Sequence, residues 1–385
     1  MMYPLKKISN STPAILWSFG LAAFFNSCSG DDDAAPGKGS GAELSPEVEI
    51  SGGDTGLNLR LGDTLVLTAN NLNESVYEEE WKLNDSVAST LEEFTFVPAK
   101  TGNYTLKYRA FNTSGEFSEK FSVDVAIRIR PVTGESSPYV AELFEYRPAP
   151  GQFINKNPGN MESARSILKQ KGLVSLGAWG GSIVLGFDHT VINRAEAKDV
   201  IIYGNAMPNF AEPGVVWVMQ DANGNGLPDD TWYEIKGSAH NMEGTVRDYE
   251  LTYFRPGDPS EGVPWKDNMG HSGEVATNTF HQQPYYPEWI ETDSYTVKGT
   301  LLPSSNIDMS NPSYITSIPF EYGYADNTGG GDEIDLADAV DKNGDPAALE
   351  GIDFIKIQTG IQANMGWLGE LSTEVSGIAD LSITE

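Results

Sequence analysis

Apolar side chains recur at every second position through much of this chain, and that spacing commits it to strands with one buried and one wet face. In LRLGDTLVLTA (Leu59 to Ala69), Leu61, Leu65 and Leu67 fall on one side and Val66 on the other. Tyr104, Leu106, Tyr108 and Ala110 repeat the pattern after a Pro-Ala-Lys-Thr-Gly turn, and Phe121, Val123, Val125 and Ile127 close it. Trp81 stands inside another such run, EEWKLND. Strands of this length, separated by turns every 8–12 residues, predict a β-sandwich over residues 46–130.

From residue 131 to 385 a larger unit is expected. One helix is predicted over MESARSILKQKG, with Asn160 as its N-cap, Ile167 and Leu168 on its apolar side and Gly172 as its stop. Strands then dominate: LVSLGAWGGSIVLGF holds glycines where a strand must bend or lie against another backbone. DVIIYGNAM and PGVVWVMQD are apolar runs of buried-strand length, and TWYEIKGS, DYELTYFRP, DSYTVKGTLLP and GIDFIKIQTG continue the series. About ten strands with little helix and no internal repeat predict a jelly-roll-like double sheet rather than a propeller. The whole chain therefore reads as all-β: an N-terminal sandwich followed by a larger jelly-roll-like sandwich.

Lys+Arg 25 against Asp+Glu 55 gives 25 − 55 = −30, a surface that repels the phosphates of nucleic acid. The chain has one cysteine, Cys28, so no disulfide can close within it and packing alone must hold the fold. Lys6 and Lys7 precede an apolar stretch, PAILWSFGLAAFF, that is short for a membrane span, and Ser27 stands just before Cys28. This resembles a bacterial lipoprotein signal, which implies cleavage after residue 27 and lipidation of Cys28. Asp31, Asp32 and Asp33 follow, then a Gly/Ser/Pro-rich stretch to residue 45 that reads as a flexible tether. The resemblance implies a protein anchored to the outer membrane and facing the medium, not one that spans it.

Two stretches could carry chemistry. In DANGNGLPDD, Asp221, Asn223 and Asn225 sit at positions 1, 3 and 5 of a calcium loop and Gly226 at position 6. The Leu227 carbonyl and Asp229 suit positions 7 and 9, but Trp232 stands where a bidentate Glu belongs, leaving only Asp230 or Glu234 to substitute. Calcium, the one cofactor such oxygens suit, and a plain acidic turn between two strands both remain open. Asp341, Asn343 and Asp345 echo the spacing in the wrong register and read as an Asn-Gly turn. Four histidines with no HxH or HxxxH, one cysteine and no G-x-S-x-G elbow leave zinc and nucleophilic catalysis without apparatus.

The second stretch is residues 263–290, where Trp265, Met269, His271, His281, Tyr285, Tyr286 and Trp289 crowd a segment broken by Pro and Gly. A long aromatic loop can stack on a sugar or a large planar ring; the same rings can equally fold inward as a satellite core. Trp179, Tyr203, Trp217 and Trp232 lie in strand runs and are expected in the core.

The stretch TGNYTLKYRAFNTSG, with Trp81 upstream, resembles a PKD or immunoglobulin-like domain, a module that implies a spacer. The series GGSIVLGFDHTVIN, DVIIYGN, EPGVVWVMQDANGNGLPDDTWYEI and GIDFIKIQTGIQANMGWLGELSTEVSGIADL resembles the C-terminal domain of Bacteroidetes surface lipoproteins, among them the cobalamin-binding proteins of vitamin B12 uptake loci. That likeness implies capture of a nutrient without chemistry: a corrinoid first, passed to a TonB-dependent outer-membrane transporter. The alternatives are a glycan-binding protein or a calcium-stabilised adhesive one.

Overall fold

The computed structural model describes residues 43–53 and 56–384. The expected leader, Cys28 and most of the tether lie outside them. Among the described residues no helix is long and apolar enough to cross a membrane, and nearly all regular structure is strand.

Residues 48–126 form two facing sheets. Val48–Ser51, Leu65–Asn71 and Glu93–Phe96 make a three-stranded sheet. Gly56–Arg60, Glu78–Leu83, Ser86–Ser89, Gly102–Asn112 and Gly115–Ala126 make a five-stranded one. The alternation is realised residue by residue: Leu61, Leu65 and Leu67 are buried while Val66 is exposed, and Leu106, Tyr108, Ala110, Phe121, Val123, Val125 and Ile127 all face inward. Trp81 is fully buried between them. Its ring stacks on Phe94 with centroids 5.3 Å apart and tilts against Tyr108 at 4.7 Å. Its indole N–H donates to the Leu91 carbonyl at 3.0 Å and the Tyr108 hydroxyl donates to Glu79 at 2.7 Å, so the polar atoms these rings carry inward are satisfied.

The larger unit is built on a seven-stranded sheet whose central strand is Gly351–Thr359, flanked by Ser182–Ile192 and Gly214–Met219. Ile183, Leu185, Val216, Val218, Ile355 and Ile357 point to one side. There they meet Val200, Ile202, Ile334 and Ile378 of a three-stranded sheet formed by Val200–Tyr203, Asp332–Ile334 and Gly377–Asp380. This is the expected double sheet. The glycines of the 173–187 run serve as anticipated: Gly177 adopts φ +74°, and a Cβ there would run into the Ala149 carbonyl.

Two expectations are corrected. The helix spans Met161–Ser166, not the stretch to Gly172. Asn160 caps it as predicted, its Oδ1 accepting from the Ser163 N–H at 2.9 Å. The helix ends early because tertiary bonds outbid it: Lys169 turns to φ +59° and donates its N–H to Val140, and Gly172 donates to Ser376. The first half of 263–290 is not loop but hairpin, Val263–Asp267 paired with Ser272–Val275, and it extends a four-stranded sheet completed by Val246–Phe254 and Ser294–Leu301.

Replacing Trp81 by Ala is expected to cost ~3–5 kcal/mol. Urea unfolding followed by circular dichroism checks it; an unchanged midpoint would contradict the central place given to this ring.

Candidate functional site

A cleft of about 590 Å³ opens where the loops around residues 152, 207, 281 and 367 converge. Its rim is apolar and wet: Phe280, Met207 and Trp367 are 73%, 57% and 50% exposed. Phe153 and Phe210 complete the walls. His281 meets Phe153 edge-on at 4.9 Å, and Tyr314 meets Phe210 edge-on at 6.0 Å. Beneath the aromatic groups the lining turns polar, with Gln152, Asn205, Glu212, Glu370 and Glu374.

Glu370 and Glu374 are buried. Burial pushes the Glu370 carboxyl up to about 8, assisted by the nearby Glu374 charge and resisted by the Gln152 N–H, which donates to Oε1 at 2.7 Å. Its Oε2 has no partner. Two of the lining acids, Glu212 and Glu374, meet Asp326 behind them, with carboxylate oxygens of all three within 4.8 Å of one another. Burial pushes Glu212 and Asp326 well above the usual range, and repulsion from Glu374 adds to it; burial also raises Glu374 itself. Asp326 is held in place by the N–H groups of Asn205, Ala206 and Glu374 at 2.8–2.9 Å. Such a trio can share protons at neutral pH, or exchange them for a hard cation. Protonated, the carboxyls of the lining donate as well as accept, which suits a ligand rich in hydroxyls.

The structure distributes the predicted ligand-binding residues widely. Of the seven, His281 alone lines this cleft. Tyr285 and Tyr286 are buried, in a satellite core with Trp179, Tyr249, Tyr253 and Tyr295. Trp265 packs half-buried on the same core, and Trp289 stacks on Tyr146 at 5.7 Å. Met269 and His271 sit exposed at the hairpin tip, where His271 Nδ1 lies 2.8 Å from Asp267. Tyr285 still serves the cleft from behind: its hydroxyl accepts from the Asn278 N–H and donates to the His281 carbonyl, both at 3.1 Å, shaping the loop that presents Phe280 and His281. Trp179 is fully buried as expected, whereas Tyr203, Trp217 and Trp232 are only half-buried.

The cleft went unread because its residues come from positions 152 to 374 and share no local pattern. One trace was legible. Glu370, Ser372 and Glu374 alternate with Leu371, Thr373 and Val375 in an extended run, placing polar groups on one side of a segment that is buried throughout.

DANGNGLPDD joins two paired strands, Gly214–Met219 and Trp232–Ile235. Its oxygens engage the loop's own donors. Asp221 accepts from the N–H groups of Asn225 at 3.1 Å and Gly226 at 2.9 Å. Asn223 accepts from Asn225, and Asn225 from Leu227. The Leu227 carbonyl accepts from Asp229, whose carboxylate takes the Asn223 and Asn225 amides. Asp230 accepts from Ala222 and Asn223. Every oxygen group expected to ligate calcium therefore holds a hydrogen bond within the loop. The echo at Asp341 closes its own turn, accepting from Asn343 and Asp345.

No family model matches the chain, and no curated protein matches it. Among solved structures it is similar to the PKD domain of human KIAA0319 at 22% identity, covering 26% of this chain and 100% of that one with a TM-score of 0.19. It is similar to a SusE-like protein at 8% identity, over 88% of this chain and 98% of that one, TM-score 0.22. It is also similar to a Bacteroides ovatus surface protein, SGBP-B of a mixed-linkage glucan utilization locus, solved in complex with a heptasaccharide. That match has 12% identity over 81% of this chain and 98% of that one, TM-score 0.18. TM-scores this low leave fold and function to the chain's own geometry.

Because the folded Glu370 carboxyl titrates near 8 against an ordinary 4.5, its proton stabilises the fold below pH 4.5 and that contribution is lost as pH rises through 8. Glu370→Gln mimics the protonated form at every pH. Melting temperatures of variant and wild type measured from pH 5 to 9 are expected to diverge in the variant's favour as pH rises; parallel curves would refute the raised value.

Proposed function

We propose that the chain is a binding protein whose aromatic-rimmed cleft captures a carbohydrate without altering it. The observation that carries this reading is the pairing of exposed rings with buried groups that both donate and accept. Phe280 and Trp367 offer flat faces to the C–H face of a sugar ring, while Gln152, Asn205 and the protonated carboxyls below meet its hydroxyls. The volume of about 590 Å³ falls within the range of roughly 300–1,000 Å³ of small-molecule sites. A corrinoid needs a broad apolar wall more than a polar floor, so the same lining favours the glycan over the corrinoid. In this reading the protein is anchored through Cys28 at the cell surface and hands its ligand to a TonB-dependent transporter.

Isothermal titration with a panel of neutral oligosaccharides, and with cyanocobalamin, tests the reading. Binding of an oligosaccharide is expected, and Trp367→Ala should weaken it about tenfold, or ~1.4 kcal/mol. Unchanged affinity in that variant would move the ligand out of the cleft. Binding of cyanocobalamin alone would replace the ligand class, and shortened oligosaccharides in the mixture would replace capture by hydrolysis.

A further inference from the structure

The outer face of the seven-stranded sheet carries a second groove, of about 350 Å³, that shares no lining residue with the cleft. Strand register sets its axis. Glu234, Trp217, Lys356, Val184 and Glu145 are successive partners across five strands, so one row of side chains crosses the sheet on the face away from its aliphatic core. Lys356 occupies the middle of that row, on the central strand. In a chain of net charge −30 it has no ion pair and no hydrogen bond among the described residues. Val184 separates it from Glu145 within the row. Its ammonium lies over the Trp217 ring, 5.7 Å from the centroid.

The neighbouring acids are already engaged. Glu234 takes the Thr300 hydroxyl at 2.6 Å and lies 3.3 Å from His240; Glu250 holds Lys298; Asp341 caps its own turn. Asp248, exposed at the rim, and Glu145, exposed at the far end of the row, are the exceptions. The buried Trp217 indole N–H has no acceptor either. Two donors, an ammonium and an indole N–H, are thus left unsatisfied beside the two tryptophans that line the groove, Trp217 and Trp232.

We infer that this groove binds a carboxylate-bearing sugar, a hexuronate, with its carboxylate on Lys356 and the Trp217 N–H and its ring against the tryptophans. A half-buried lysine with no ion pair, beside an indole N–H with no acceptor, is explained by a ligand better than by packing. Burial lowers its pKa, with the nearby Arg147 acting the same way and Glu145 opposing. An incoming carboxylate would restore the charged form. An aromatic platform with Lys356 at its centre and Arg247, Lys298 and Lys342 around it selects for charge and ring together, whereas a bare sulfate would gain only the charge.

The test is titration of the protein with digalacturonate, followed by tryptophan fluorescence, with the methyl-esterified disaccharide and sulfate as controls. Digalacturonate is expected to quench at sub-millimolar concentration, the ester to bind more than tenfold more weakly, and sulfate not to compete at equal concentration. Lys356→Met should lose more than tenfold in affinity while melting at the same temperature or higher. Trp232→Ala, a second variant on the groove's edge, should also weaken binding. Competition by sulfate at equal concentration, equal binding of the ester, no quenching at millimolar digalacturonate, or full affinity in Lys356→Met would each overturn the inference. Trp367→Ala is expected to leave digalacturonate binding unchanged, which keeps failure here distinct from failure at the cleft.

Discussion

Asp353 is the fixed point from which the larger unit is arranged. It is fully buried on the central strand, and its carboxylate draws three separate pieces of chain together. Oδ1 accepts from Arg130 Nε at 3.0 Å and from the Thr190 hydroxyl at 2.7 Å; Oδ2 accepts from the Asp221 N–H at 2.8 Å. The first bond ties down the segment arriving from the N-terminal sandwich. The second fixes the end of Ser182–Ile192, where the Thr190 backbone also pairs with Arg130. The third sets the root of DANGNGLPDD, and from there the hairpin that carries Trp217 and Trp232. A charge this deep is tolerable only with its partners in place, and removing any one leaves the buried carboxylate short of a hydrogen bond. A second buried cluster does similar work: His189 lies between Asp188 and Asp380, each at 2.9 Å, and locks the final strand to the main sheet. Burial works against charging the imidazole, but the two carboxylates prevail and hold its pKa above the ordinary value.

The two faces of the main sheet divide the labour. The inner face is almost wholly apolar, aliphatic side chains with Tyr146, Phe187 and Tyr233 among them. The outer face mixes Trp217, Lys356 and Gln358 with Val184, a composition that a second sheet covers only in part. Gly299 on that covering sheet shows how tight the covered part is, because a Cβ there would collide with the Gln358 side chain. Where the covering stops, the groove begins.

Much of the fold was legible because alternation is a local signal and the core obeys it. Trp81, the paired rows at Tyr104–Ala110 and Phe121–Ile127, and the Asn160 cap are all set by neighbours within a few residues. The length of the helix was not, since the bonds that end it run to Val140 and Ser376. The aromatic segment 263–290 misled for a related reason. Density of rings along the chain says nothing about which way they face, and the four-stranded sheet needed a core of its own, which Tyr285 and Tyr286 help to fill. The half-buried Trp217 and Trp232 erred in the opposite sense: a strand in an apolar run still has two faces, and theirs is the outer one.

Charge placement shows why neither candidate site could be read in advance. Glu212, Asp326 and Glu374 are unremarkable acids among 55 in the sequence, and Lys356 is one basic residue of 25. Their character comes from what surrounds them after folding. Three carboxylates are brought together where burial raises their pKa values; one lysine is left beside Trp217 with Glu145 near enough to act on it but not to pair with it. Both arrangements work against stability, and they lie on different faces of the same scaffold. Each place also holds a buried polar atom without a partner, Glu370 Oε2 at the cleft and the Trp217 N–H beside Lys356.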